Sequence, residues 1–165
     1  MPVSTKLEIK VADEVWITTA LLHRELPSAT DFSVEEIVRR AKRETLHSPH
    51  RSSVYVHVVQ HCVANRAPNS GRYRMLYETT ERRRRLFRRG DAYHPGREGS
   101  KITPQSADMP RGYEHLLKWY EEWSVTYCDR AAKSDPLLAL AGSGRNLWSD
   151  EHADEYVRRL REGWE

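Results

Sequence analysis

Ser53, His57, Gln60 and His61, in the stretch SSVYVHVVQHCVANR, place hydroxyl, imidazole and carboxamide groups at intervals of four, three and one residues. On a helix these positions fall on one side, and their donors and acceptors suit base edges or phosphate oxygens. The alternative is plain solvent exposure. His57 and His61, one turn apart and beside Cys62, also have a spacing that can bind zinc. No second cluster supplies the remaining ligands, although His47 and His50 are near in sequence. No metal or other cofactor is expected. An enzyme is the weakest class, because neither a nucleophile with its base nor a pair of carboxylates stands out.

The charge on the chain lies in blocks. Between Arg66 and Glu98 stand ten arginines against four acids, while from Asp135 to Glu165 four arginines face seven acids. A basic middle and an acidic end suggest two different partners. In ERRRRLFRRGD, the run Arg82, Arg83, Arg84 and Arg85 alternates sides if the segment is a strand, so about half of it can follow a phosphate backbone. Arg72, Arg74 and Arg88 extend the strip. Such contacts give affinity and register but little sequence choice. A solvated arginine face on a small α+β domain is the plainer alternative.

These side chains need elements to position them. A first helix is predicted from Val11 to Leu26, with Val11, Val15, Leu22 and Leu26 inward and Pro27 as its stop. A second starts at a capping box, Ser33 with Glu36, where Phe32 can staple against Ile37; Val34, Ile37, Val38 and Ala41 then face the core. The β-branched stretch after Ser53 is read as a third helix, with Val54, Tyr55, Val58, Val59 and Cys62 on its core side. GRYRMLYETT and ERRRRLFRRGD then read as a hairpin. Three helices followed by a basic hairpin is the order of a winged helix-turn-helix, whose third helix enters the major groove of duplex DNA.

Residues 92–110 read as an irregular crossing. A supporting helix follows, with Tyr113, Leu116, Leu117, Tyr120 and Tyr127 at helical spacing and Trp119 and Trp123 alongside; it completes the core or forms a homodimer surface. DRAAKSDP, residues 129–136, reads as a linker, and GSGR, residues 142–145, as a hinge. The expected class is therefore α+β, mainly helical: a winged-helix domain over 1–98, a crossing segment and supporting helix over 99–134, and an extended or helical tail over 135–165. With 165 residues, 38% hydrophobic, the chain suits one domain with appendages. It has no membrane-length apolar run and no signal-like start, so a cytoplasmic location is expected, with Cys62 and Cys128 reduced.

The block HCVANRAPNSGRYRMLY with its basic hairpin resembles a family of uncharacterised bacterial winged-helix proteins, over residues 8 to about 125. The ending DPLLALAGSGRNLWSDEHADEYVRRLREGWE resembles the toxin-binding tails of antitoxins of the VapBC class. That second resemblance implies a tail wrapping a PIN-domain ribonuclease toxin, with Leu147 and Trp148 as first anchor and Tyr156, Val157 and Leu160 as the apolar face of a bound helix. Arg158, Arg159 and Arg161 are the implied candidates for a plug in the toxin's acidic site. A helix this short folds by burying Trp148, Tyr156, Leu160 and Trp164 on a partner, or by docking on its own domain. The leading expectation is a bacterial type II antitoxin that binds its operator; the alternative is a winged-helix regulator or restriction-system accessory protein with no toxin.

Overall fold

The computed structural model describes residues 8–134, with side chains as far as residue 126, together with Arg158 and Arg161. Contacts divide the chain into two units, Met1–Ser124 and Val125–Glu165. The first is built around α1, Val11–Glu25. This helix is buried on nearly every side because the rest of the unit wraps it, so polar residues go inside as well. Thr18 and Thr19 donate their hydroxyls to the carbonyls of Glu14 and Val15, at 2.7 and 2.8 Å. Asp13 is held by Lys101 at 2.9 Å, and Glu14 bonds Arg51 at 2.6 Å through Oε2 while its Oε1 has no partner among the described residues. Leu26, expected to face inward, lies past the last helical turn and is 49% exposed.

A two-residue strand, β1 (Phe32–Ser33), leads directly into α2 (Val34–Glu44). The predicted capping box is present in both directions, the Ser33 hydroxyl accepting from the Glu36 backbone at 3.1 Å and Glu36 accepting from the Ser33 backbone at 2.7 Å. Val34, Ile37 and Ala41 are buried and Val38 packs beside them. The third helix departs from expectation. α3 is α-helical only over Ser53–Val56 and then widens into a π-helical turn, His57–His61, where the Cys62 N–H reaches back to the His57 carbonyl at 3.0 Å. Such turns are uncommon and recur at functional sites.

The hairpin is β2 (Leu76–Thr80) and β3 (Arg83–Leu86), shorter than the two predicted runs. β1 completes an antiparallel sheet in the order β1-β3-β2, with Phe32 opposite Arg84 and Ser33 opposite Arg83. Glu81 and Arg82 form the tip, and Arg82 takes a positive φ of 59° there. The sequence signals at 32–33 were those of a staple and a cap, which conceal a two-residue strand.

Residues 99–124, the crossing segment and most of the supporting helix, belong to the same unit as the residues before them. Lys101 bonds Asp13, and Tyr120 meets Trp16 edge-on with ring centroids 5.5 Å apart. The next helix, α4, runs His115–Ser134. The predicted linker at 129–136 is therefore helical as far as Ser134, as expected of Arg, Ala and Lys, which are good helix formers. The described residues thus make an α+β unit with four helices and one small antiparallel sheet.

Candidate nucleic-acid interface

The four side chains predicted to read bases are half-buried, and two of them bond within the unit. His57 donates from Nδ1 to the Ser53 carbonyl at 2.9 Å, and Gln60 donates from Nε2 to the Ala67 carbonyl at 2.7 Å. The His61 ring meets His57 edge-on at 4.8 Å and closes over Gly71, where a Cβ would come within 2.7 Å of the His61 Cβ. Burial, with His61 and Arg51 nearby, holds His57 below its ordinary range and so neutral at pH 7. The core side of α3 is as expected, with Val54, Val58 and Cys62 fully buried and Val59 packed beside them. The loop after Cys62 folds back over the His57 and His61 side, so that side is covered too. Tyr55, predicted as core, is 46% exposed and Val56 is 44% exposed. Ser52, one turn earlier, is exposed as well.

The arginine run divides in the middle. At the tip, Arg82 bonds Glu35 of α2, with Tyr55 beside it, and Arg83 donates to Asp31 at 2.6 Å. Both arginines remain exposed. Arg84, Arg85 and Arg88, predicted to follow phosphates, are buried instead. Arg84 reaches the Val58 carbonyl at 3.3 Å and Glu78 at 3.0 Å. Arg85 grips Asp91 through two bonds of 2.6 and 2.8 Å and lies over the Tyr77 ring at 4.4 Å. Arg88 covers Trp123 at 4.8 Å. Arg74 is half-buried, donating to the Ser100 carbonyl at 3.2 Å and lying over Tyr93 at 4.3 Å. Arg72 is exposed, as are Arg39, Lys42 and Arg43 on α2. A planar, always-charged guanidinium suits the inward role as well as phosphate binding, so residue type alone could not separate the two.

Two residues that sequence reasoning passed over organise this surface from below. Arg97 is fully buried and donates to five backbone carbonyls: Arg66 at 2.7 Å, His61 at 2.8 Å, Tyr73 at 2.7 Å, Gln60 at 2.9 Å and Ala67 at 3.4 Å. It satisfies the carbonyl end of the π-helical turn, where a cation is favoured, and ties that end to the loop covering it. His23 lies between Phe32 and Trp123, ring centroids 4.8 Å from each, and accepts the Leu86 N–H at 3.3 Å. Burial, reinforced by Arg88 and Arg85, pushes it down to about 3. Neither residue had a sequence signal, since an isolated His in a helix and an Arg in a turn-rich stretch are both commonplace.

The zinc alternative finds no support in the placement of His57, His61 and Cys62: no group of three or more His, Cys, Asp or Glu among the described residues could hold a metal ion. Cys62 is fully buried and free, its thiol pushed up by burial. No helix among the described residues is long and apolar enough to cross a membrane. Of the expected toxin contacts, Arg158 and Arg161 are helical and exposed. Leu147, Trp148, Tyr156, Val157, Arg159, Leu160 and Trp164 lie outside the described residues, as does the hinge at 142–145. Comparison of the chain with protein-family models, curated proteins and solved structures returns no match.

Proposed function

We propose that the first unit is a winged-helix module that binds duplex DNA, and that the whole chain is an antitoxin that joins it to a tail neutralising a PIN-type ribonuclease. The observation that carries the DNA reading is topological. The order α1-β1-α2-α3-β2-β3, with the sheet running β1-β3-β2, is the arrangement in which a third helix is offered to the major groove while a hairpin lies along the backbone. The step from topology to DNA is one of fold analogy. It is supported by an outward turn of α3 and by cations on the flanking elements: Arg82 and Arg83 at the tip, and Arg39, Lys42 and Arg43 on α2. Binding of the full chain to duplex DNA, followed by fluorescence anisotropy from low to physiological salt, tests it. A steep fall of affinity with salt is expected; no binding at the lowest salt overturns it.

The antitoxin half rests on the tail's pattern of Leu147-Trp148, Tyr156-Val157 and Leu160-Arg161. Arg158 and Arg161, three apart on exposed helix, share a face from which a guanidinium could pair with the carboxylates of a metal site. Co-expression with a PIN-type reading frame, if one adjoins the gene, decides between the antitoxin and a regulator without a toxin. The antitoxin reading expects a stable complex that loses neutralisation when residues 135–165 are removed. A tail-deleted protein that still neutralises, or an adjacent frame that does not bind, favours the regulator.

A further inference from the structure

We infer that the outward turn of α3 recognises pyrimidine C5-methyl groups in the major groove, with Val56 and Tyr55 as the side chains that set the preference. The inference rests on the DNA reading above and adds what that site would select. Three side chains project from the turn: Ser52, Tyr55 and Val56. None carries the carboxamide or guanidinium that makes two parallel hydrogen bonds to adenine or guanine. Two of the polar side chains of the helix are turned to carbonyls of the unit instead. Gln60 is bonded to the Ala67 carbonyl, and His57 to the Ser53 carbonyl.

What the turn offers instead is an apolar surface, a branched aliphatic side chain beside an aromatic ring, 44% and 46% exposed. In the major groove the one apolar feature of a base pair is the C5-methyl group of thymine, or of 5-methylcytosine where that base is present. Charge complementarity identifies the occupant as a nucleic acid duplex and not an apolar protein face. Arg82 stands beside Tyr55, and Arg39 is exposed one turn after its partner Glu35 on α2. An apolar patch with an exposed arginine beside it, and further exposed cations on α2, fits a groove whose floor carries methyl groups and whose walls are phosphates. Tyr55 can also turn its hydroxyl toward a phosphate while its ring lies on the bases.

The test begins with the full chain and a random duplex library, from which the preferred site is selected. Each thymine of that site is then replaced by deoxyuridine, which removes the methyl group and leaves the pairing edge unchanged. Wild-type protein should lose about fourfold in affinity for each recognised methyl, the effect of one buried carbon, and Val56→Ala should lower that ratio. Substituting 5-methylcytosine for cytosine at the same step separates the two methyl sources: a gain shows that the methyl alone is read, and no gain limits the preference to thymine within its base pair. A selected site indifferent to deoxyuridine at every position, or a selection that yields no preference, overturns the inference and leaves DNA binding standing. Failure to bind any duplex at low salt removes both. Tyr55→Phe, which keeps the ring, should preserve the methyl ratio, and a loss of that ratio would assign the preference to the hydroxyl instead.

Discussion

The tip and the base of the hairpin are made from the same residue and have opposite roles. Arg82 and Arg83 are exposed and face acids brought in from β1's approach and from α2, whereas Arg84, Arg85 and Arg88 are buried against Glu78, Asp91, backbone carbonyls and aromatic rings. Register on β3 starts the division, since Arg84 pairs opposite the buried Phe32. The acids complete it. Asp31, Glu35 and Glu121 come from outside the basic stretch, so a net charge counted along the sequence overstates the charge displayed in space. A run of arginines is therefore informative about DNA only where the partners leave the guanidinium in solvent.

The largest effect should come from the inward class. Arg97→Met removes the shared donor of five backbone carbonyls, of which Ala67 keeps Gln60 and Gln60 keeps the Val63 N–H, and should destabilise the protein by about 3–5 kcal/mol in urea unfolding. Arg83→Ala, whose ion pair with Asp31 is partly exposed, should stay within about 0.5 kcal/mol of the parent. If the two variants lose similar stability, the distinction between tip and interior does not hold.

Acid separates the two regions as well. His23 is buried beneath the base of the hairpin and pushed down to about 3, against an ordinary value of 6.5. Between these values the unfolded chain binds a proton that the folded chain refuses. The stabilising effect of the neutral ring is thus complete above about pH 6.5 and is lost as pH falls toward 3, at about 1.4 kcal/mol per pH unit. The carboxylates held low by their partners, Asp31 and Glu78 among them, act in the same direction only below their ordinary range near 4. Urea midpoints measured from pH 7 to 5 should fall for the parent and stay nearly flat for His23→Gln. A parallel fall in both would place the acid sensitivity elsewhere.

Much of this framework was legible from sequence because strong local signals agreed with the fold. The capping box at Ser33 and Glu36 and the stop at Pro27 are satisfied within a few residues, so tertiary context had little to overrule. The core side of α3, with Val54, Val58 and Cys62 buried, followed the same logic, but its polar side failed for the opposite reason. Polarity assigned His57, Gln60 and His61 to solvent, yet Ala67 and Gly71 in the following loop and Arg97 further on cover that side, while Tyr55 and Val56 stay exposed. Which of two plausible faces is covered depends on a loop, and loops carry no periodicity. The arginines of the hairpin share the problem, since an inward Arg84 and an outward Arg83 are indistinguishable until Asp31 and Glu78 are placed.

On DNA, the two classes should separate by salt dependence. Arg83→Ala should flatten the slope of log affinity against log salt by about 0.9, the release associated with one phosphate contact. Arg85→Ala should leave the slope unchanged while lowering the urea midpoint, because the Asp91 carboxylate and the Tyr77 ring lose their partner. Equal slopes in parent and Arg83→Ala would take the hairpin tip out of the interface.

The smallest effect probes the tip from the other side, through the acid that faces it. Glu35 pairs with Arg82 in the free protein, and its own backbone N–H and that arginine hold its carboxyl below the usual range. A phosphate arriving at Arg82 must compete with this carboxylate and also meets its negative charge. Glu35→Gln keeps the size of the side chain and removes the charge, so duplex affinity should rise by about two- to fivefold at low salt, with the gain shrinking as salt screens the exposed pair. The first turn of α2 also loses an acid that favours its helix dipole, so a slight loss of stability should accompany tighter binding. That combination is difficult to obtain from a merely structural residue. Should Glu35→Gln bind duplex more weakly while remaining folded by circular dichroism, Glu35 would be positioning Arg82 for the phosphate instead of masking it.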